Sequence, residues 1–405
     1  MNRIESLAQM TEPDRPFTRR AFSKVYDSAR AWLTGEFTSA GLEVTVDAGG
    51  NLVGQRPGGG ASRDPAWALG SHIDTVVGGG RYDGMLGVVA ALEVAQVLHE
   101  AGIELVRPLR VIDFLSEEPS DFGAFFVGSQ ALVGSLSAAE LAAKNAQGET
   151  LKDAIGRVGG RPDALGRPLV QPEELAGFLE LHIEQGPVLE QEGVSVGIVT
   201  GIAGITAKTI RIEGHATHAG TTPMAGRRDA LEAAAELVTA VAENARRQER
   251  IAPFVATAGK LDVTPNATNV VPGCVDVVVE ARSTDMSVVE EFFDLVVEKK
   301  LRDLGNRGFV TTMTPRGHAP AVACARFIVD AITEACTAEG RSFRKIVSGA
   351  GHDAMIVARV APVGMLFIPC RNGVSHNPAE WASEDDIEAG AQTLLDSLLR
   401  LDASS

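Results

Sequence analysis

Ala68-Leu69-Gly70-Ser71-His72-Ile73-Asp74-Thr75 is an apolar run that ends in an imidazole, with a carboxylate two residues further on. The run predicts a buried strand that delivers His72 at its end. The spacing of two places Asp74 on the same side of an extended chain, where it can orient the ring. Such a carboxylate fixes the tautomer and raises the basicity of a metal-bound histidine, which a lone structural histidine does not require. Downstream, Asp83 lies in Gly78-Gly79-Gly80-Arg81-Tyr82-Asp83-Gly84, just before a helical pattern through Val88, Ala91, Leu92, Ala95 and Leu98. A carboxylate in that turn is placed to bridge two metals.

The same ending recurs. A strand expected over 109–115 breaks into Ser116-Glu117-Glu118-Pro119, and adjacent glutamates on an extended chain point opposite ways, so one can bind metal while the other holds a water. A strand through Phe178-Leu179-Glu180-Leu181 delivers His182, and the run from Val363 to Ile368 leads to Ser375-His376-Asn377-Pro378. Taken singly, a histidine at a strand end also describes a hydrogen-bonded structural residue, and Glu-Glu-Pro a solvated turn. Taken together, His72, Asp83, Glu118, His182 and His376 are the donor types that two divalent ions sharing one carboxylate need, and they point to a hydrolase.

With 405 residues, 45% hydrophobic and 22% charged, the chain can bury a large core and form two domains. Its 53 acidic against 37 basic residues give a net charge of −16 with no basic stripe, which argues against nucleic acid or an anionic membrane as partner. The start, Met1-Asn2-Arg3-Ile4-Glu5-Ser6, lacks the apolar core of a signal peptide. No stretch reaches the roughly 18 apolar residues of a spanning helix, so a cytoplasmic location is expected. Cys274, Cys324, Cys336 and Cys370 have neither metal nor redox spacing and read as buried thiols.

Helical periodicity over 19–40 leads through Gly41 into a hairpin-like pair, 43–47 and 51–55. Gly58-Gly59-Gly60-Ala61-Ser62 lacks the lysine and following helix of a phosphate cradle and reads as a surface turn. After Gly201 the pattern becomes strand 207–213, helix 228–245, strands 254–263 and 275–282, helix 287–304 and strand 309–314, a small one-sheet sandwich. The candidate ligands lie on both sides of that segment. The expected architecture is therefore α/β: a catalytic domain with a mixed sheet flanked by helices, built from 1–205 and 318–405, interrupted by an inserted domain over 206–317. Two connections permit hinge closure over a substrate.

Gly70-Ser71-His72-Ile73-Asp74-Thr75, Asp83-Gly84, Ser116-Glu117-Glu118, Leu181-His182-Ile183-Glu184-Gln185-Gly186-Pro187, His218-Ala219-Gly220-Thr221-Thr222-Pro223-Met224, Gly349-Ala350-Gly351-His352-Asp353-Ala354 and Ser375-His376-Asn377-Pro378 span nearly the whole chain. In these segments and their order the sequence resembles the M20 metallopeptidase-like amidohydrolases, in particular the hydantoinase/carbamoylase branch. That branch contains N-carbamoyl-L-amino-acid hydrolases, allantoate amidohydrolases and β-ureidopropionases. The resemblance implies an aminopeptidase-like catalytic domain holding two divalent ions per subunit (Zn, Mn, Co or Ni), with His72 and His182 on one, Glu118 and His376 on the other, and Asp83 bridging. It makes Glu117 the general base and His218 the donor to the oxyanion. It also gives Gln185, Asn269, Arg282 and the Gly349 backbone to the substrate, and the inserted domain to a lid and a homodimer interface. A guanidinium pairing with a carboxylate is what an amino-acid substrate calls for, although an arginine ending a strand is otherwise a solvated residue. His352 is expected behind the ligands, and His99, His215 and His318 are expected to be structural or solvated.

The chain also departs from the branch. Pro119 and Asp121 stand where many relatives have glycine and arginine, which alters the expected wall behind Glu117. Ile205 stands near a place where many carry glutamine, which disfavours the polar substrate allantoate. The expected activity is metal-dependent removal of the carbamoyl group from an N-carbamoyl-L-amino acid. The alternatives are allantoate, β-ureidopropionate or N-acyl amino-acid hydrolysis and, from a different class, a non-catalytic protein that captures a carboxylated ligand.

Overall fold

Glu43–Val46 (β1) and Leu52–Arg56 (β2) pair antiparallel, with Glu43 opposite Gln55 and Val46 opposite Leu52. They lead into the main sheet of the computed structural model, which describes residues 1–60 and 64–404, so that Ala61 and Ser62 of the glycine-rich turn lie outside the described residues. The sheet continues with β3 (Ala66–His72), β4 (Leu109–Phe114), β5 (Leu175–Ile183) and β6 (Val196–Ile202). After an intervening unit with β7 (Gly204–Glu213), β8 (Thr217–His218), β9 (Phe254–Thr264), β10 (Val270–Val271), β11 (Cys274–Ser283) and β12 (Val310–Ala319), it resumes with β13 (Val322–Ala323), β14 (Phe343–Ser348) and β15 (Val363–Ile368). The order is β1-β2-β4-β3-β5-β15-β6-β13, with β14 also on β6.

Its centre, β4-β3-β5-β15, is parallel. Every residue of β3 and β15 is buried, as a parallel sheet covered by helices on both faces requires. The helix Met85–Glu100 is apolar nearly all round and packs on β3, β4 and β5. The helices Arg326–Ala338 and Glu384–Ala403 pack together and against β15. Because parallel strands point one way, β3, β4, β5 and β15 release the chain at one edge, the usual place for a site in such sheets.

The chain separates into two compact units, Met1–Thr200 with Cys324–Ser405, and Gly201–Ala323. The boundaries expected at 206 and 317 fall inside β7 and β12, because the crossing is set by the strand ends and not by a change of composition. The second unit is a four-stranded antiparallel sheet, β12-β7-β11-β9, with the helix Ala230–Gln248 and a helix over 286–306 on one face. Alternation in β11 shows the layering: Val275, Val277, Val279 and Ala281 are buried, and the intervening residues half-buried. No helix among the described residues is long and apolar enough to cross a membrane.

One local expectation is corrected. The first long helix starts at Lys24 and not at Arg19, because the Ser23 hydroxyl caps it by accepting from Tyr26 N. Arg19 is instead withdrawn into the protein, donating to Ile73 O at 2.8 Å, Leu7 O at 2.6 Å and Met10 O at 3.1 Å. It ties the N-terminal segment to the end of β3.

Candidate metal centre

The strand ends bring His72, Asp83, Glu117, Glu118, His182 and His376 together in the first unit. Ligand atoms of His72, Asp83 and His182 lie within 4.8 Å of one another, as do those of Asp83, Glu118 and His376, so Asp83 belongs to both groups. Its two oxygens divide the work. Asp83 Oδ1 is 3.1 Å from His182 Nε2 and 3.9 Å from His72 Nε2, whereas Oδ2 is 3.1 Å from His376 Nε2. Glu118 Oε1 is 3.1 Å from the same His376 nitrogen, and Glu117 Oε2 is 3.6 Å from His72 Nε2. All but His376 are buried.

The backbone sets the imidazoles. His72 Nδ1 bonds to Asp74 O at 3.0 Å and His182 Nδ1 to Ile183 O at 2.9 Å, so both rings carry the proton on Nδ1 and present Nε2 to the cluster. The Asp74 carboxylate, expected to orient His72, is 3.6 Å from that ring and has another task. It accepts from Glu117 N and Glu118 N, both at 3.2 Å. Two consecutive N–H groups reach one acceptor only where the chain turns. The turn starts at Ser116, whose φ is +55°, so the glutamates diverge through a turn and not through strand alternation. Gly84 is required by proximity: its φ is +66°, and a Cβ there would meet His72 Cε1 at 2.2 Å.

Asp74, Asp83, Glu117 and Glu118 are four buried carboxylates served by three imidazoles, and uncompensated buried charge of that kind calls for cations. Burial works against a protonated His72, but Glu117, Asp74 and Asp83 outweigh it and raise its pKa well above the usual value. Bonds to Asp83 and Glu118 lift His376 to about 10. Burial pushes the Glu117 carboxyl well up, against His72 and with help from Glu118 and Asp353. Nitrogen and carboxylate donors around a shared carboxylate fit divalent transition metals better than Mg or Ca, and protons compete for the same lone pairs.

Gln185, with φ +57°, donates from Nε2 to Asp83 Oδ2 at 2.9 Å, and its buried Oε1 has no hydrogen-bond partner. His352 is buried against His182, with ring centroids 4.7 Å apart, and its Nε2 meets Ser348 Oγ at 2.9 Å. Gly349 is exposed in the loop before it. Asp121 is paired with Arg20 Nη1 at 2.7 Å, so the altered wall carries a surface ion pair and not a bare anion. Cys370 is a buried free thiol that burial lifts to about 12.

Sequence reasoning missed three acids and a hydroxyl around this cluster. Glu380 is 2% exposed and accepts from Tyr82 N at 2.8 Å and Asp83 N at 3.1 Å. Ser375 Oγ donates 2.9 Å to Asp83 Oδ2 and lies 3.0 Å from Glu380 Oε2. Glu180 accepts from Ser71 Oγ and Ala354 N, and Asp353 is buried beside it. Asp353 lies within a motif quoted above and Glu380 just after another, but nothing in their spacing signals these contacts.

His218, Asn269 and Arg282 belong to the second unit. β8 pairs with β10, Val270 opposite His218, and Ala219 N bonds to Asn269 O at 2.9 Å, so His218 and Asn269 share one exposed corner. Gly220 N and Thr221 N donate to His218 Nδ1 at 3.1 and 3.2 Å, which leaves the ring proton on Nε2. Arg282 is half-buried, with Nε on Glu280 Oε1 at 2.7 Å.

The model of the family described as peptidase family M20/M25/M40 matches residues 68–400. The N-carbamoyl-L-amino acid amidohydrolase of Geobacillus stearothermophilus is 36% identical over 391 residues, 96% of this chain and 94% of that protein. A probable allantoate deiminase of Oryza sativa subsp. japonica is 33% identical over 423 residues, 97% of this chain and 86% of that one. A crystal structure of an amidase of the hydantoinase/carbamoylase family from Burkholderia multivorans superposes with a TM-score of 0.90 at 35% identity, covering 99% of this chain and 96% of that chain.

Proposed function

The chain belongs to peptidase family M20/M25/M40 and is a hydrolase of carbon–nitrogen bonds other than peptide bonds, and we propose that it removes the carbamoyl group from an N-carbamoyl-L-α-amino acid, yielding the amino acid, ammonia and carbon dioxide. The observation that carries the reading is the Asp83 carboxylate, whose two oxygens face two separate donor groups. In this reading His72 and His182 hold one divalent ion, Glu118 and His376 a second, and Asp83 both. When bound, the ions acidify water and polarise the ureido carbonyl.

The chain's own groups do the rest. Glu117, held by the bonds from its own and the next backbone N–H to Asp74, takes the proton of the attacking water and returns it to the departing nitrogen. Its burial raises its proton affinity, which suits a group that must hold a proton between the two steps. His218, with its proton on Nε2, donates to the carbonyl oxygen as that oxygen gains charge. Arg282 and Asn269 hold the substrate carboxylate, a planar guanidinium matching it bidentately. The unpartnered Gln185 Oε1 accepts from a substrate N–H. Closure of the inserted unit excludes water, and the same unit forms the interface of a homodimer.

Ammonia and amino-acid release from a panel of N-carbamoyl-L-amino acids, N-carbamoyl-β-alanine, allantoate and N-acetyl-amino acids tests the substrate. The expected result is release from an N-carbamoyl-L-α-amino acid well above the others. Preferential turnover of allantoate would replace this substrate with its nearest rival, and metal binding without turnover of any compound would favour a capture protein.

A further inference from the structure

β4 ends at Phe114, and its ladders end there too. Asp113 is its last residue opposite β2, facing Leu52, and Phe114 its last opposite β3, facing His72. Leu115 N therefore lies beyond both ladders, just before the Ser116 turn that carries Glu117 and Glu118. A side chain takes it up. Asn51, fully buried, accepts from Leu115 N with Oδ1 at 3.0 Å and donates from Nδ2 to Gly128 O at 3.1 Å. Gly128 N in turn donates to Leu115 O at 2.7 Å. The Asn51 amide thus stands in for a peptide group and joins the segment entering the turn to the segment at 126–128.

The pairing runs on into the turn itself. Val127 N donates to Ser116 O at 3.0 Å, and Phe126 N to Glu117 O at 2.9 Å. Ser116 and Phe126 both have positive φ, +55° and +54°, and residues other than glycine keep that conformation only where their surroundings hold it. The join is close: a Cβ on Gly128 would meet Asn51 Oδ1 at 1.9 Å. Asp47 fixes the amide from behind, its Oδ1 accepting from Asn51 N and its Oδ2 from Nδ2, both at 2.9 Å. A buried, satisfied asparagine is ordinarily a folding residue. Asn51 differs in where its bonds lead, to the backbone two residues before Glu117, while Asp74 holds Glu117 N and Glu118 N from the other side.

We infer that Asn51 is a positioning residue for Glu117 and Glu118. Its amide completes the backbone bonding at the entrance of the Ser116 turn and so fixes the direction in which both carboxylates leave it. Asp47 acts through Asn51 by holding the amide plane. The inference rests on the proposed reading of Glu117 as the proton carrier and Glu118 as a metal donor. A small misplacement of either group is costly, because proton transfer and metal binding both depend closely on geometry.

Asn51→Ala, Asp47→Ala and Leu42→Ala are compared with the wild type as full-length, metal-reconstituted protein. The measurements are kcat and KM for the best N-carbamoyl-L-amino acid, and cobalt affinity by competition with a chelator. Leu42, buried, packs on Gly54 of β2, so its truncation loosens the same strand pair and leaves the amide in place. The expected result for Asn51→Ala is a kcat lowered and a cobalt affinity weakened about 10–100-fold each, with KM near the wild-type value. Asp47→Ala should move both in the same direction by less, and Leu42→Ala should lower the melting temperature and move neither. Wild-type kcat and cobalt affinity in folded Asn51→Ala, or equal losses in Leu42→Ala, would make Asn51 an ordinary core residue and overturn the inference. Should Asn51→Ala fail to fold, wild-type values in Asp47→Ala would overturn it equally. Cobalt affinity is read without turnover. A wild type that binds cobalt and hydrolyses none of the substrates would refute the proposed reaction, and the cobalt shift in Asn51→Ala would still decide the inference.

Discussion

The two units hold their polar residues in opposite ways. In the first, His72, Asp83, Glu117, Glu118 and His182 are buried at the ends of parallel strands, and each is fixed by a neighbour's backbone or carboxylate. In the second, His218 and Asn269 stand exposed on a two-residue ladder, and Arg282 is half-buried beside Glu280. The buried set is organised before any substrate arrives, which suits metal binding and proton transfer. The exposed set is solvated until a substrate displaces water, so its interactions are realised on capture and as charge develops. On the proposed reading the buried set carries metal binding and proton transfer, and the exposed set carries substrate capture and, through His218, the donor to the oxyanion, a division that variants can break.

The largest effect on turnover is expected from Glu117→Gln, which keeps the shape of the side chain but removes the proton carrier. Turnover should fall by about 10²–10⁴-fold while metal content by elemental analysis stays at the wild-type level; a variant with near-normal rate would remove Glu117 from the chemistry. Next comes His218→Ala, expected to lower kcat by about 10²–10³-fold with little change in KM. A change confined to KM would make His218 a recognition residue like its neighbours and sharpen the division.

Glu380→Gln probes the support of the buried set. Glu380 holds the backbone of Asp83 and the Ser375 hydroxyl, so metal affinity measured by competition with a chelator should weaken about 10–100-fold without loss of fold by circular dichroism. Unchanged affinity would show that Asp83 is held well enough without it. The smallest effect is expected from Arg282→Lys, which keeps the charge but loses the fork: KM should rise about tenfold with kcat and metal content unchanged. A fall in kcat with constant KM would contradict recognition by the second unit.

Much of this contrast was legible in the chain because strands and the ends of strands leave local marks. The unbroken apolar runs before His72 and His376 became β3 and β15, and the alternation in 275–282 became β11 with one core face. What was not legible depends on contacts between distant residues. Glu380 and Tyr82 are 298 residues apart in the chain, and only the fold lays the Glu380 carboxylate against the turn before Asp83. Asp74 does lie beside His72, but spacing along a strand says nothing about the turn across from it, where Ser116 starts a turn that aims two N–H groups at the same carboxylate. The helix expected from Arg19 starts later because a cap at Ser23 outweighs the periodicity before it, and Arg19 has buried carbonyls to satisfy. The roles of His218, Asn269 and Arg282 rest on resemblance, since exposed polar residues look alike in a single sequence.

The most direct measurement titrates Mn, Co, Ni or Zn into the stripped protein while following ammonia release from the best N-carbamoyl-L-amino acid. A rate that is absent in stripped protein, rises with added metal and levels off near two equivalents per chain is the expected result for two donor groups sharing Asp83. Full activity in stripped protein, or no release at any loading, would contradict a hydrolase built on that cluster.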